Sequence, residues 1–116
     1  MAQSYKDLLV WQKSVDLVIA TYNLTRQLPK SETYGLSSQM QRAAVSIPSN
    51  IAEGYMRKSR KEYVQFCSIA AGSAAELETQ LVIAARIYND TECNVITAQL
   101  TEVQKMLYAL VEKLKS

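Results

Sequence analysis

Between Leu36 and Tyr55 the apolar residues recur with the period of an α-helix. Leu36, Met40, Ala43, Ala44, Ile47, Ile51 and Tyr55 fall on one arc when each residue advances the chain by about 100°. Gln39, Arg42, Ser46, Asn50 and Glu53 share an arc of roughly 80° beside it. Val45, Ala52 and Met56, with Pro48 near them, take a third sector that faces solvent in a simple monomeric bundle. A helix that is apolar on two sides is expected to be covered twice, once by its own core and once by another subunit. Val45, Ala52 and Met56 are therefore assigned to an oligomer interface. Pro48 donates no backbone hydrogen bond and crowds the carbonyl of Ala44, which predicts a kink. The alternative is a break at Ile47, but the apolar spacing keeps phase across the proline and favours one kinked helix.

The rest of the chain follows the same period. Leu8, Trp11, Val15, Val18 and Tyr22 form the predicted buried stripe of a first helix, with Val10, Leu17, Leu24 and Leu28 on a neighbouring face. Leu28-Pro29 ends it. Ser31 or Thr33 is placed to cap the second helix, and Glu32 is favourable near its positive end. Ser59-Arg60-Lys61-Glu62 has capping-box spacing and starts a third helix, whose core stripe is Tyr63, Phe66, Ala70, Ala74 (or Ser73), Leu77, Leu81, Ala84 and Tyr88. Within it, Cys67 to Ala75 is rich in small residues, and Gly72 is expected where a neighbouring backbone comes close. Thr91 or Asn94 can cap a fourth helix, in which Ile96, Leu100, Val103, Leu107, Leu110 and Leu114 repeat at four-three spacing. Helices over about 7–27, 33–57, 60–89 and 94–115, with short connections and no strand pattern, predict a single all-α domain over residues 1–116. Its expected architecture is an antiparallel up-and-down four-helix bundle.

Composition narrows the function without naming it. The charged share of 21% and the net charge of +2 suit an ordinary globular protein, so only a local cluster of charge can argue for a polyanion. Cys67 and Cys93 lie 26 positions apart in a chain with no histidine, which fits neither a zinc site nor a redox motif; plain core is the expected role. No metal and no cofactor are expected. Carboxylate-bridged metal sites in bundles use histidine, serine hydrolases need a base beside the serine, and no glycine-rich phosphate loop is present. The expectation is a protein that is not an enzyme. No apolar run reaches the roughly 18 residues of a membrane span and no signal peptide is recognisable, so a cytoplasmic location is expected.

Four blocks carry a resemblance: Leu8–Lys13 (LLVWQK), Tyr34–Gln39 (YGLSSQ), Arg42–Gly54 (RAAVSIPSNIAEG) and Ala70–Glu78 (AAGSAAELE). They resemble the bacterial four-helix-bundle family often encoded in intervening sequences of large-subunit ribosomal RNA genes. That family is in turn similar to the accessory variability determinant protein of diversity-generating retroelements. The resemblance implies a four-helix protomer and a ring-shaped homopentamer. Through the retroelement relative it implies contact with nucleic acid and with a nucleic-acid-processing protein, a reverse transcriptase, over basic surface.

Two sets of residues carry the candidate chemistry. Arg57, Lys58, Arg60 and Lys61 put four cations in five positions at a helix–helix corner, a pattern suited to phosphates, with Lys13, Arg26 and Lys30 as further basic positions. The alternative for this corner is a solvated connection, in a protein–protein assembly module that binds no nucleic acid. The second set is a polar network of Gln39, Arg42, Ser46, Asn50 and Glu53, with Glu76 or Glu78 as the expected partner of Arg42. Its expected task is to fix bundle register or subunit pairing.

Overall fold

The computed structural model describes residues 4–116. Four α-helices account for most of them: α1 (Leu9–Thr25), α2 (Leu36–Tyr55), α3 (Arg60–Ile87) and α4 (Asn94–Lys115). Short 3-10 turns at Tyr5–Asp7 and Lys30–Glu32 precede α1 and α2, and no strand occurs among the described residues. α1 packs on α2 and α4, and α3 packs on the same two helices, so the diagonal pairs do not meet. Consecutive helices pack on each other across short connections, so each turns back along the one before, and Thr25–Gln41, Ser46–Ser73 and Glu78–Gln104 bond across the pairs. The result is an antiparallel four-helix bundle measuring 43 × 23 × 20 Å.

In α1 the two apolar stripes exchange their expected roles. Val10, Leu17, Leu24 and Leu28 are the core residues, whereas Leu8, Trp11, Val15 and Val18 are half-buried and Tyr22 is exposed. The reason lies in the hydroxyl residues between them. Ser14 and Thr21, both fully buried, complete a four-three seam that runs Val10, Ser14, Leu17, Thr21, Leu24, Leu28. Ser14 Oγ donates to the Trp11 carbonyl and Thr21 Oγ1 to the Leu17 carbonyl, each at 2.8 Å. Thr25 Oγ1 does the same to Tyr22 at 2.9 Å. A hydroxyl satisfied by its own helix buries almost like a methyl group.

α2 runs unbroken through Pro48. Pro48 is itself buried, which corrects its expected place near the solvent sector. Met40, Ala44, Ile47 and Ile51 are sealed in the core, while Val45 and Met56 are exposed and Ala52 is half-buried. The N-terminus of α2 uses neither Ser31 nor Thr33. Gly35 is the N-cap, and Glu32 Oε1 accepts the Leu36 amide at 3.1 Å. α4 likewise has Cys93 at its N-cap, with the Glu92 carboxylate on the Asn94 amide at 2.6 Å, instead of a cap from Thr91 or Asn94.

α2 and α3 make the most extensive pair in the bundle, because alanines face each other along it: Ala43 and Ala44 on one side, Ala70 and Ala74 on the other. The glycine of close approach is Gly54. A Cβ there would lie 2.8 Å from the Phe66 Cβ and 3.2 Å from the Tyr63 carbonyl. Gly72, expected to play that part, faces open space with nothing within 4 Å. The small residues of α3 divide between two faces: Cys67, Ala70 and Ala74 point inward, and Ser68, Ala71, Gly72 and Ala75 point out.

Candidate nucleic-acid interface

The α2–α3 connection places the basic corner at the end of the bundle where α1 begins and α4 ends. Ser59 Oγ accepts the Glu62 amide at 3.1 Å, so the expected cap forms and starts α3 immediately after the corner. The four cations are not equivalent. Arg57 reaches back to Glu53 at 3.4 Å, and its guanidinium carbon sits 4.8 Å above the centre of the Phe66 ring. It is thereby held to the bundle. Lys58, Arg60 and Lys61 are exposed and, among the described residues, form no ion pair.

The antiparallel return of α4 brings a further cation to this end. Lys115 shares a groove with Arg60, Lys61, Val64, Gln65 and Leu114. Sequence reasoning missed it, although pairing the last turn of a fourth helix with the first turn of a third follows from an up-and-down bundle. Lys13, Arg26 and Lys30 do not join the corner. Lys13 pairs with Glu102 at 3.4 Å, and Arg26 donates to Asn23 at 2.8 Å. Arg26 and Lys30 lie at the opposite end, where α1 turns into α2.

Aromatic rings gather behind the corner without entering it. Tyr5 meets Trp11 and Tyr55 edge to face, and Tyr55 meets Tyr63 the same way, with centroids 5.4, 6.5 and 6.0 Å apart. Burial, with smaller contributions from Cys67 and Tyr55, pushes the Tyr63 phenol up to about 12. These rings fasten the ends of α1, α2 and α3 to one another, a packing role.

The polar stripe of α2 is only partly a network. Asn50 Nδ2 donates to the Ser46 carbonyl and hydroxyl at 2.7 and 2.8 Å, and Ser73 Oγ donates across to Ser46 Oγ at 2.8 Å. Gln39, Arg42 and Glu76 line a cleft of about 380 Å³ with Ala43, Ser46 and Ser73. Arg42 is exposed and forms no ion pair among the described residues, so the expected bond to Glu76 or Glu78 is absent. The physical reason is position. Glu76 shares the cleft without reaching Arg42, and Glu78 turns toward α4, where it accepts Gln104 Nε2 at 3.5 Å. Glu53 serves Arg57 instead. The contact from this stripe to another helix that remains is Ser46–Ser73, and Ser73 is its new member.

Cys67 is buried and Cys93 half-buried; both are free thiols, and burial pushes the Cys67 thiol up to about 11. Among the described residues no three His, Cys, Asp or Glu side chains cluster as metal ligands, and no helix is long and apolar enough to cross a membrane.

Fold and site together define a small all-α bundle protein with a concentrated basic end. The chain belongs to the 23S rRNA-intervening sequence protein family, whose model matches residues 6–109. Its backbone is similar to that of a crystallised protein of unknown function from the S23 ribosomal protein family of Bacteroides thetaiotaomicron. The two superpose with a TM-score of 0.81 at 25% sequence identity, over 89% of this chain and 98% of that one. A comparison with curated proteins finds no match.

Proposed function

We propose that this protein is a non-enzymatic, cytoplasmic RNA-binding accessory factor that works as a ring-shaped homopentamer. The observation that carries the RNA reading is the set of cations that form no ion pair among the described residues at one end of the bundle: Lys58, Arg60 and Lys61, joined by Lys115 from α4. In a closed ring the set recurs on every subunit and forms a continuous positive belt for phosphates. Self-association is supported by Val45 and Met56, which stay exposed on α2, and by the open small-residue face of α3 at Ala71, Gly72 and Ala75, beside exposed Ile69. Small side chains let another helix approach closely. A bend of α2 at Pro48, where the Ala44 carbonyl loses its helical donor, would set the angle at which α2 presents Val45 and Met56. The similarity to the accessory protein of diversity-generating retroelements, and with it a nucleic-acid-processing protein as partner, belongs to the same proposal.

The test is light scattering coupled to size exclusion, followed by salt-titrated binding to a structured RNA. The expected results are an assembly of about five subunits and affinity that falls steeply with salt. Each lysine or arginine neutralised among 58, 60 and 61 should flatten the log–log slope by about 0.7–0.9. A ring indifferent to RNA would make the protein an assembly module instead. A monomer would remove the pentamer and the interface assignment of Val45, Ala52 and Met56 together.

A further inference from the structure

The groove between the first turns of α3 and the last turn of α4 has a composition that phosphate binding alone does not explain. It is a shallow, open groove of about 400 Å³. Its apolar wall is Val64 of α3 and Leu114 of α4, both half-buried, and the side chains around them are Arg60, Lys61, Gln65 and Lys115, all exposed. Every charged group lining it is a cation, and none of the three is in an ion pair among the described residues. Arg60 and Lys61 also occupy the first turn of α3, where the helix dipole is positive and cations are disfavoured. The last turn of α4 lies alongside with its negative end, so the two helix ends offset each other and the three side chains carry the attraction for an anionic group.

We propose that this groove docks an acidic amphipathic helix of a partner protein. One aliphatic side chain of the partner sits between Val64 and Leu114, and carboxylates one helical turn to either side meet Arg60, Lys61 and Lys115. The aliphatic wall decides the class of occupant. RNA phosphates would engage the three cations and leave Val64 and Leu114 unused, and bases would find no ring to stack on, because Phe66 and Tyr63 are turned away toward Gly54 of α2. A helix laid in a groove with apolar anchors at helical spacing fits both the wall and the rim. The site shares Arg60 and Lys61 with the proposed RNA surface, so partner helix and RNA compete for it.

The test titrates the isotope-labelled full chain with a short synthetic glutamate–leucine peptide whose leucines share one helix face. Polyglutamate and a single-stranded RNA oligonucleotide are the comparison probes. Amide shifts should concentrate at residues 60–65 and 113–116, with the mixed peptide bound about tenfold tighter than polyglutamate. Val64→Ser and Leu114→Ser should abolish that preference while leaving RNA affinity unchanged. Lys115→Gln, at an exposed position, should weaken both peptides several-fold even if the apolar variants lose stability. Equal binding of the two peptides overturns the proposal. RNA binding that falls in step with the Val64 and Leu114 variants gives the groove to nucleic acid and likewise overturns it. Loss of RNA binding in Lys58→Gln alone bears on the RNA surface and leaves the groove standing.

Discussion

The Tyr88 hydroxyl, at the C-terminal end of α3, donates to Oε2 of Glu32, the residue whose other oxygen caps α2. One carboxylate thus ties together segments 56 positions apart in the chain. The Tyr88 hydroxyl first, and the Leu36 amide second, hold Glu32 below its ordinary value of 4.5. A depressed carboxyl contributes stability above its unfolded value and loses it as pH falls through the folded one. Glu32→Gln should therefore lower the thermal midpoint by a constant amount between neutrality and about pH 5, and the difference from the natural chain should close in stronger acid. The same bond raises Tyr88 above 10.0, so its contribution is present below that value and lost as pH rises through the folded one. Melting curves of Glu32→Gln and Tyr88→Phe across both ranges check the signs.

Gly54 and Gly72 should respond oppositely to alanine. At Gly54 the new Cβ meets Phe66 Cβ and the Tyr63 backbone, neither of which can swing aside. Overpacking costs about 1–3 kcal/mol, only partly offset by the roughly 1 kcal/mol gained in helix propensity. At Gly72 the space is open, so alanine should stabilise the protomer by about 0.5–1 kcal/mol. Urea unfolding of both variants separates the two cases.

The orientation of α1 is equally measurable. Leu17 is fully buried, and Leu17→Ala should cost about 2–5 kcal/mol. Ile19 is 56% exposed, and Ile19→Ala should stay within about 0.5 kcal/mol for the protomer. Similar losses at the two positions would mean that the helix is rotated from the orientation described.

Arg57 should separate from its neighbours. Its guanidinium is engaged by Glu53 and by the Phe66 ring, so Arg57→Ala should cost about 0.5–1 kcal/mol of stability and change RNA affinity little. Neutralising Lys58, Arg60 and Lys61 should do the reverse. Parallel melting and binding curves distinguish them.

The thiols should differ from free cysteine in reactivity. With Cys67 buried and pushed up to about 11, alkylation at pH 8 should proceed only as fast as the bundle opens. Its raised value also means that its stabilising share persists below 9.0 and is lost as pH rises through about 11. Cys93, half-buried and raised by burial and by Glu92, should label sooner. Mass spectrometry of a labelling time course measures both.

Period and local chemistry were enough to determine that this chain makes four helices. The four-three seam from Ile96 to Leu107 is buried as its spacing requires, and Ser59 caps α3 through the Glu62 amide, because both depend on residues a turn apart. Local pattern misassigned α1, where Ser14 and Thr21 look polar in the sequence yet bury once their hydroxyls bond the helix itself. Tertiary structure alone decided which glycine meets a neighbouring helix, that Glu32, placed by the sequence at the start of α2, also serves Tyr88, and that Arg42 forms no ion pair among the described residues. It also decided that Lys115 joins Arg60 and Lys61. Each of these relations links residues on different segments. Their distances depend on how the helices are rotated and staggered against one another, and that is set by the packing of the whole core rather than by any stretch of sequence.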